Sequence, residues 1–66
     1  MIQTGKQATK ALKFIHRKTG WTGRKIARRL GTSWTTEWKI YNGQTKNPAQ
    51  EIMDAIENLQ AEVETI

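Results

Sequence analysis

Nine of the first 36 residues are cationic (Lys6, Lys10, Lys13, Arg17, Lys18, Arg24, Lys25, Arg28 and Arg29) and none is acidic, so this stretch carries +9. Residues 37–66 set Lys39 and Lys46 against Glu37, Glu51, Asp54, Glu57, Glu62 and Glu64 and carry −4. A segment this basic binds polyanions by releasing their counterions, and nucleic acid is the most abundant polyanion in a cell. A surface that only keeps a small domain soluble needs charge, but does not need the signs to separate along the chain. Other chemistries are poorly supplied. The chain has no Cys and one His, so it offers no thiolate, no disulfide framework and no pair of His ligands; no metal or cofactor is expected.

The 66 residues, 36% of them apolar, allow one small domain spanning 1–66. Folding at this length removes only roughly 60% of the unfolded chain's surface from water, which leaves little core for a substrate pocket and argues against an enzyme. The longest apolar runs are two residues, such as Phe14-Ile15. That is far short of the ~20 that span a bilayer or of the apolar stretch of a signal peptide. A soluble, cytoplasmic protein without an export signal of its own is expected.

The elements that must position the charges are helices. Ala8, Ala11, Leu12 and Ile15 recur at helical spacing, interleaved with cations, until Thr19-Gly20 ends the pattern. Thr22 is an N-cap for a second helix over about 23–30, with Trp21 and Ile26 at the spacing of a hydrophobic staple. That helix is expected to bury Ile26, Ala27 and Leu30, with Gly31 as its left-handed terminator. Ser33 caps a third helix from Trp34 to about Asn42, closed by Asn42-Gly43. Asn47 and Pro48 read as N-cap and first residue of a fourth helix over about 48–64, with Gln50 at the third position. The expected fold is all-α: a small four-helix bundle whose last helix is extended.

Gly20-Trp21-Thr22, Ile26-Ala27, Leu30-Gly31, Ser33, Ile40, Asn42-Gly43 and Pro48 together resemble the Cro/repressor helix-turn-helix family of phage and bacterial regulators, with the helix-turn-helix core at about 22–42. The small Ala27 would let the third helix cross close to the second, and Gly31 permits the positive φ of the turn. The resemblance implies that the third helix lies in the DNA major groove and that the N-terminus of the second meets the phosphate backbone. The positions that face base edges in that family hold Trp34, Thr35 and Thr36, with Trp38, Lys39 and Asn42 further along. Thr hydroxyls and Lys are plausible base readers, whereas Trp is not a usual one. The family's phosphate-binding Gln is replaced by Gly23, followed at once by Arg24 and Lys25. Two cations in a first helical turn oppose the helix dipole, an arrangement that a bound anion relieves. The phosphate candidates are thus Thr22, Arg24 and Lys25, with Arg28 and Lys46 secondary.

Three departures from the family pattern set further expectations. Glu37 stands where the family has an inward aliphatic residue. Either the third helix is rotated so that Trp38 enters the core and Glu37 reaches water, or Glu37 is paired with Arg28, Arg29 or Lys39. His16 and Tyr41 replace a family Arg–Glu pair, so His16 reads as structural, stacked on or hydrogen-bonded to Tyr41. Trp34, Trp38 and Tyr41 form one aromatic stripe at i, i+4 and i+7, of which at least one member is expected to pack on the core.

In the last helix Ala49, Ile52, Ile56, Leu59, Val63 and Ile66 follow spacings of 3, 4, 3, 4 and 3. Ile52, Met53 and Ile56 should complete the core. Leu59, Val63 and Ile66 lie beyond the expected end of the bundle and are candidates for a homodimer seam, unless the helix folds back or frays. Two functions follow as expectations: a sequence-specific double-stranded-DNA-binding regulator, repressor-like and of phage or mobile-element type, or a helix-turn-helix-derived module that binds a host protein through the aromatic stripe. A basic first helix lying on an anionic membrane ranks third, because its apolar area is small.

Overall fold

The computed structural model describes residues 2–65, and among them the apolar spacing becomes four helices and no strand: α1 (Gly5–Thr19), α2 (Gly23–Leu30), α3 (Trp34–Tyr41) and α4 (Gln50–Glu64). Local chemistry accounts for the ends of the first three. Thr4 Oγ1 accepts from the Gln7 amide at 3.2 Å, Thr22 Oγ1 from Lys25 at 3.2 Å and Ser33 Oγ from Thr36 at 3.3 Å. Each hydroxyl satisfies one of the amides a helix start leaves without a partner, worth about 1 kcal/mol. Gly31 ends α2 in the left-handed region at φ 76°, and the Thr32 amide returns to the Ala27 carbonyl at 3.0 Å.

The helices touch in a ring, α1 to α3 to α2 to α4 and back to α1, so α3 and α4 stand diagonally across the core. Each contributes its apolar stripe: Leu12 and Ile15 from α1, Ile26 from α2, Ile40 from α3, and Met53, Ile56, Leu59 and Val63 from α4. Trp21, Leu30, Tyr41 and Ile52 are half-buried against that cluster. Leu30 is thus less enclosed than its helical spacing predicts.

Two expectations are corrected. The fourth helix does not begin at an Asn47 cap. Its N-cap is Ala49, with no side-chain cap bond, while Pro48 is buried and Gln50 Nε2 donates to Asp54 Oδ1 at 2.9 Å. The cause is tertiary. The segment before α4 crosses the start of α1 so closely that the Gly5 amide donates to the Lys46 carbonyl at 3.2 Å, and a Cβ on Gly5 would stand 2.7 Å from that oxygen. Backbone fixed there brings Pro48 into the core and delays the helix. Second, Leu59 and Val63 do not form a seam for another copy: both are buried within the chain's own core, because α4 folds back along α1. Ile66 lies outside the described residues.

Glu37 is buried, only 2% exposed, and Ile40 keeps its inward place, so α3 is not rotated. The carboxylate's partner is neither Arg28, Arg29 nor Lys39, whose side chains all face water. It is His16 of α1, whose Nε2 lies 3.0 Å from Glu37 Oε2. One proton is shared in that bond, and the tautomer of the imidazole decides which atom donates it. The same imidazole meets Tyr41 edge to face, ring centroids 4.6 Å apart, as its structural role predicts. Arg29 instead donates to Glu62 Oε1 at 2.6 Å, an exposed link between α2 and α4.

Removing the imidazole leaves a buried carboxyl group without this hydrogen-bond partner. His16→Ala is expected to cost about 1–3 kcal/mol in urea unfolding. Adding Glu37→Leu should restore most of that loss, since removing both polar groups leaves no orphan. A double variant as unstable as His16→Ala alone would assign the stability to ring packing on Tyr41 instead.

Candidate nucleic-acid interface

At 100° per residue, Trp34, Trp38, Asn42, Thr35 and Lys39 fall within an arc of about 140° on α3, and all five side chains are exposed. Glu37 and Ile40 occupy the opposite side of the helix and face inward. The two indoles are 46% and 43% exposed, with ring centroids 6.4 Å apart. Tyr41, third in the stripe, is the aromatic that packs on the core. Thr36 falls off the exposed arc, half-buried, its hydroxyl 3.0 Å from that of Ser33 at the helix cap. Asn42 is exposed, but its Nδ2 donates to the Trp38 carbonyl at 2.9 Å and secures the end of α3. The base-edge candidates therefore separate into Trp34, Thr35, Trp38 and Lys39, which present side chains outward, and Thr36 and Asn42, which are tied to helix ends.

The start of α2 adjoins this face through Gly23. A Cβ there would stand 2.9 Å from Glu37 Oε1, 3.1 Å from Trp34 Nε1 and 3.4 Å from Trp34 Cδ1, so the pyrrole edge of Trp34 rests on the first turn of α2. A methyl at this position would press on both side chains. The carboxylate also sits beside the N-terminus of a helix whose first turn holds no acid, so it supplies part of the negative charge that Arg24 and Lys25 leave wanting. Arg24 turns outward over the Trp34 ring, 5.6 Å from its centroid. Lys25 and Arg29 lie over Trp21 at 4.9 and 5.4 Å. Such contacts hold cations against aromatic faces while leaving their N–H groups available. Thr22 caps α2, and Arg28 is exposed on the same helix.

Lys46 occupies a different position. It lines an open groove of about 530 Å³ together with Lys6, Lys10, Lys13 and Thr9. These α1 lysines were not singled out from sequence as contacts, although the i, i+4, i+7 spacing of 6, 10 and 13 already places them on one face. All eleven Lys and Arg side chains are exposed, and every acid except Glu37 lies on α4, diagonally across from α3. Among the described residues no cluster of three or more His, Asp or Glu is placed to hold a metal ion, and no helix is long and apolar enough to cross a membrane.

These observations define a small all-α, four-helix domain with a cationic, aromatic face on α3 and the start of α2. No family model, curated protein or solved structure matches the chain.

Gly23→Ala tests how closely α2, Glu37 and Trp34 meet. Alanine favours helix by about 1 kcal/mol relative to glycine. Here its methyl must displace the carboxylate and the indole, so a net loss of about 1–2 kcal/mol is expected in urea unfolding, with a change in Trp emission. A stabilised variant with unchanged emission would contradict the approach described.

Proposed function

We propose that this protein is a sequence-specific, double-stranded-DNA-binding transcriptional regulator of Cro/repressor-like helix-turn-helix type, a repressor of phage or mobile-element kind that works in the cytoplasm of a bacterial or infected cell. One observation carries the reading: the exposed arc of α3 is bordered by cations, its single acid is turned inward, and the acidic helix lies across the core. A polyanion approaching α3 therefore meets positive charge alone. The three residues between α2 and α3 match the short turn of a helix-turn-helix, and a helix displayed on one side of a small domain suits the width of the major groove. In this reading Thr35, Lys39 and the indoles face base edges, while Arg24, Lys25, Arg28 and Lys46 meet phosphates, with Thr22 at the α2 terminus.

The exposure of both Trp34 and Trp38 favours a second reading, a domain of the same shape that docks on a host protein, since exposed aromatic pairs are common binding hot spots. Affinity measurement on duplex DNA separates the two. With four phosphate contacts the log–log salt slope is about −3.6, so affinity should fall about a hundredfold between roughly 50 and 200 mM salt. Arg24→Ala and Lys25→Ala should each reduce the slope by about one and weaken binding to all sequences alike. Salt-independent binding, or retention of one host protein after nuclease treatment with no duplex bound, would favour the second reading.

A further inference from the structure

We propose that the indole pair Trp34–Trp38 reads the C5-methyl groups of thymines in the major groove, an inference that rests on the duplex-binding reading above and names what its specificity selects. Indole has one polar atom, Nε1, which donates and cannot accept. In Trp34 that edge rests on Gly23, with Nε1 3.1 Å and Cδ1 3.4 Å from where a Cβ on Gly23 would lie. One face of the ring is covered by the Arg24 guanidinium at 5.6 Å, and Trp38 lies alongside with its centroid 6.4 Å away. What Trp34 offers to a ligand is therefore largely hydrocarbon, and the Trp38 ring lies beside it, one helical turn on.

In a folded domain of this size, two indoles each more than two-fifths exposed form an apolar patch in the middle of a cationic face. Charge complementarity selects DNA as its occupant: Arg24 and Lys25 stand on one side, Lys39 lies on the same arc of α3, and no acid is exposed on α1, α2 or α3. The major groove of ordinary DNA displays hydrogen-bonding groups and a single apolar one, the thymine methyl. Hydrocarbon facing that groove gains only from the methyl and strips water from any other base edge without replacing its hydrogen bonds. Thr35, on the same arc, adds a hydroxyl and a methyl of its own.

The test uses the full chain and a duplex selected from random sequence, compared with the same duplex carrying deoxyuridine in place of thymidine. That change deletes methyls and leaves every hydrogen-bonding group in place. Affinity should fall about fourfold for each methyl buried against the indoles. Trp34→Ala and Trp38→Ala, both at exposed positions and checked for helicity by circular dichroism, should each discriminate less, and the double variant should bind the two duplexes with nearly equal affinity. Equal binding of both duplexes by the unsubstituted protein overturns the inference and leaves the duplex-binding reading standing. Discrimination that survives undiminished in the double variant also overturns it and assigns the reading to Thr35. If no duplex is selected over random DNA, the functional reading itself fails, and the inference with it.

Discussion

The carboxylate of Glu37 pointing into the bundle is the constraint on which the rest of the molecule depends. It fixes the rotation of α3, since turning the helix by one residue would carry Trp38 inward, expose Glu37, and take Ile40 out of a core where it is fully buried. A buried polar pair of this kind adds little stability over an apolar pair of equal volume. Its effect is to select among arrangements: His16 reaches Glu37 at 3.0 Å and Tyr41 at 4.6 Å between centroids only in this one. Because Glu37 Oε1 also lies against the start of α2, a side chain at position 23 would have to push the carboxylate and the indole aside, and with glycine there the edge of Trp34 comes down on the backbone. The outward display of both indoles thus follows from one inward acid.

Turning Glu37 inward also determines the electrostatics. It is the only acid among residues 1–50, and once it is buried, the exposed charge of α1, α2 and α3 has one sign. Ten cations on three short helices repel one another and destabilise the compact state. Opposing contacts are local. Arg29 reaches Glu62 on α4, Lys25 and Arg29 lie over Trp21, and Arg24 lies over Trp34. The acids of α4 sit on the far side of the core from α3, so Glu62 anchors Arg29 without neutralising the face that α3 presents.

How much of this was legible in the sequence depended on the range of the interaction involved. The spans of α2 and α3 could be read because Thr22, Ser33 and Gly31 act on amides and carbonyls within three or four residues. The start of α4 could not, because Gly5 and Lys46, 41 residues apart, fix the backbone ahead of it. The same limit hid the partner of Glu37: spacing arguments offered Arg28, Arg29 and Lys39, which are near in sequence, whereas His16 is 21 residues away on another helix. Leu59 and Val63 stayed open between a dimer seam and a folded-back helix for a different reason. An apolar stripe has the same period whether it faces its own chain or a second copy, and only the fold-back of α4 on α1 distinguishes them. For the aromatic stripe, periodicity established that Trp34, Trp38 and Tyr41 share a side of α3 but not where the core boundary crosses it, which is between Tyr41 and the two indoles.

The aromatic and basic residues of the α2–α3 face form one arrangement, in which cations rest on rings. Long cationic side chains lose up to about 2 kcal/mol of rotamer freedom when a ligand immobilises them. Arg24 resting on Trp34, and Lys25 and Arg29 on Trp21, are already restricted, so ordering them further costs less. The carbon of the Arg24 guanidinium lies over the Trp34 ring, 5.6 Å from its centroid. The indole beneath is held in turn by Gly23 and by its neighbour on α3. A Leu at position 34 would fill similar space but present no π-face to Arg24 and no flat edge to Gly23. The Trp residues thus restrain the cations that border them while extending a rigid apolar surface of their own.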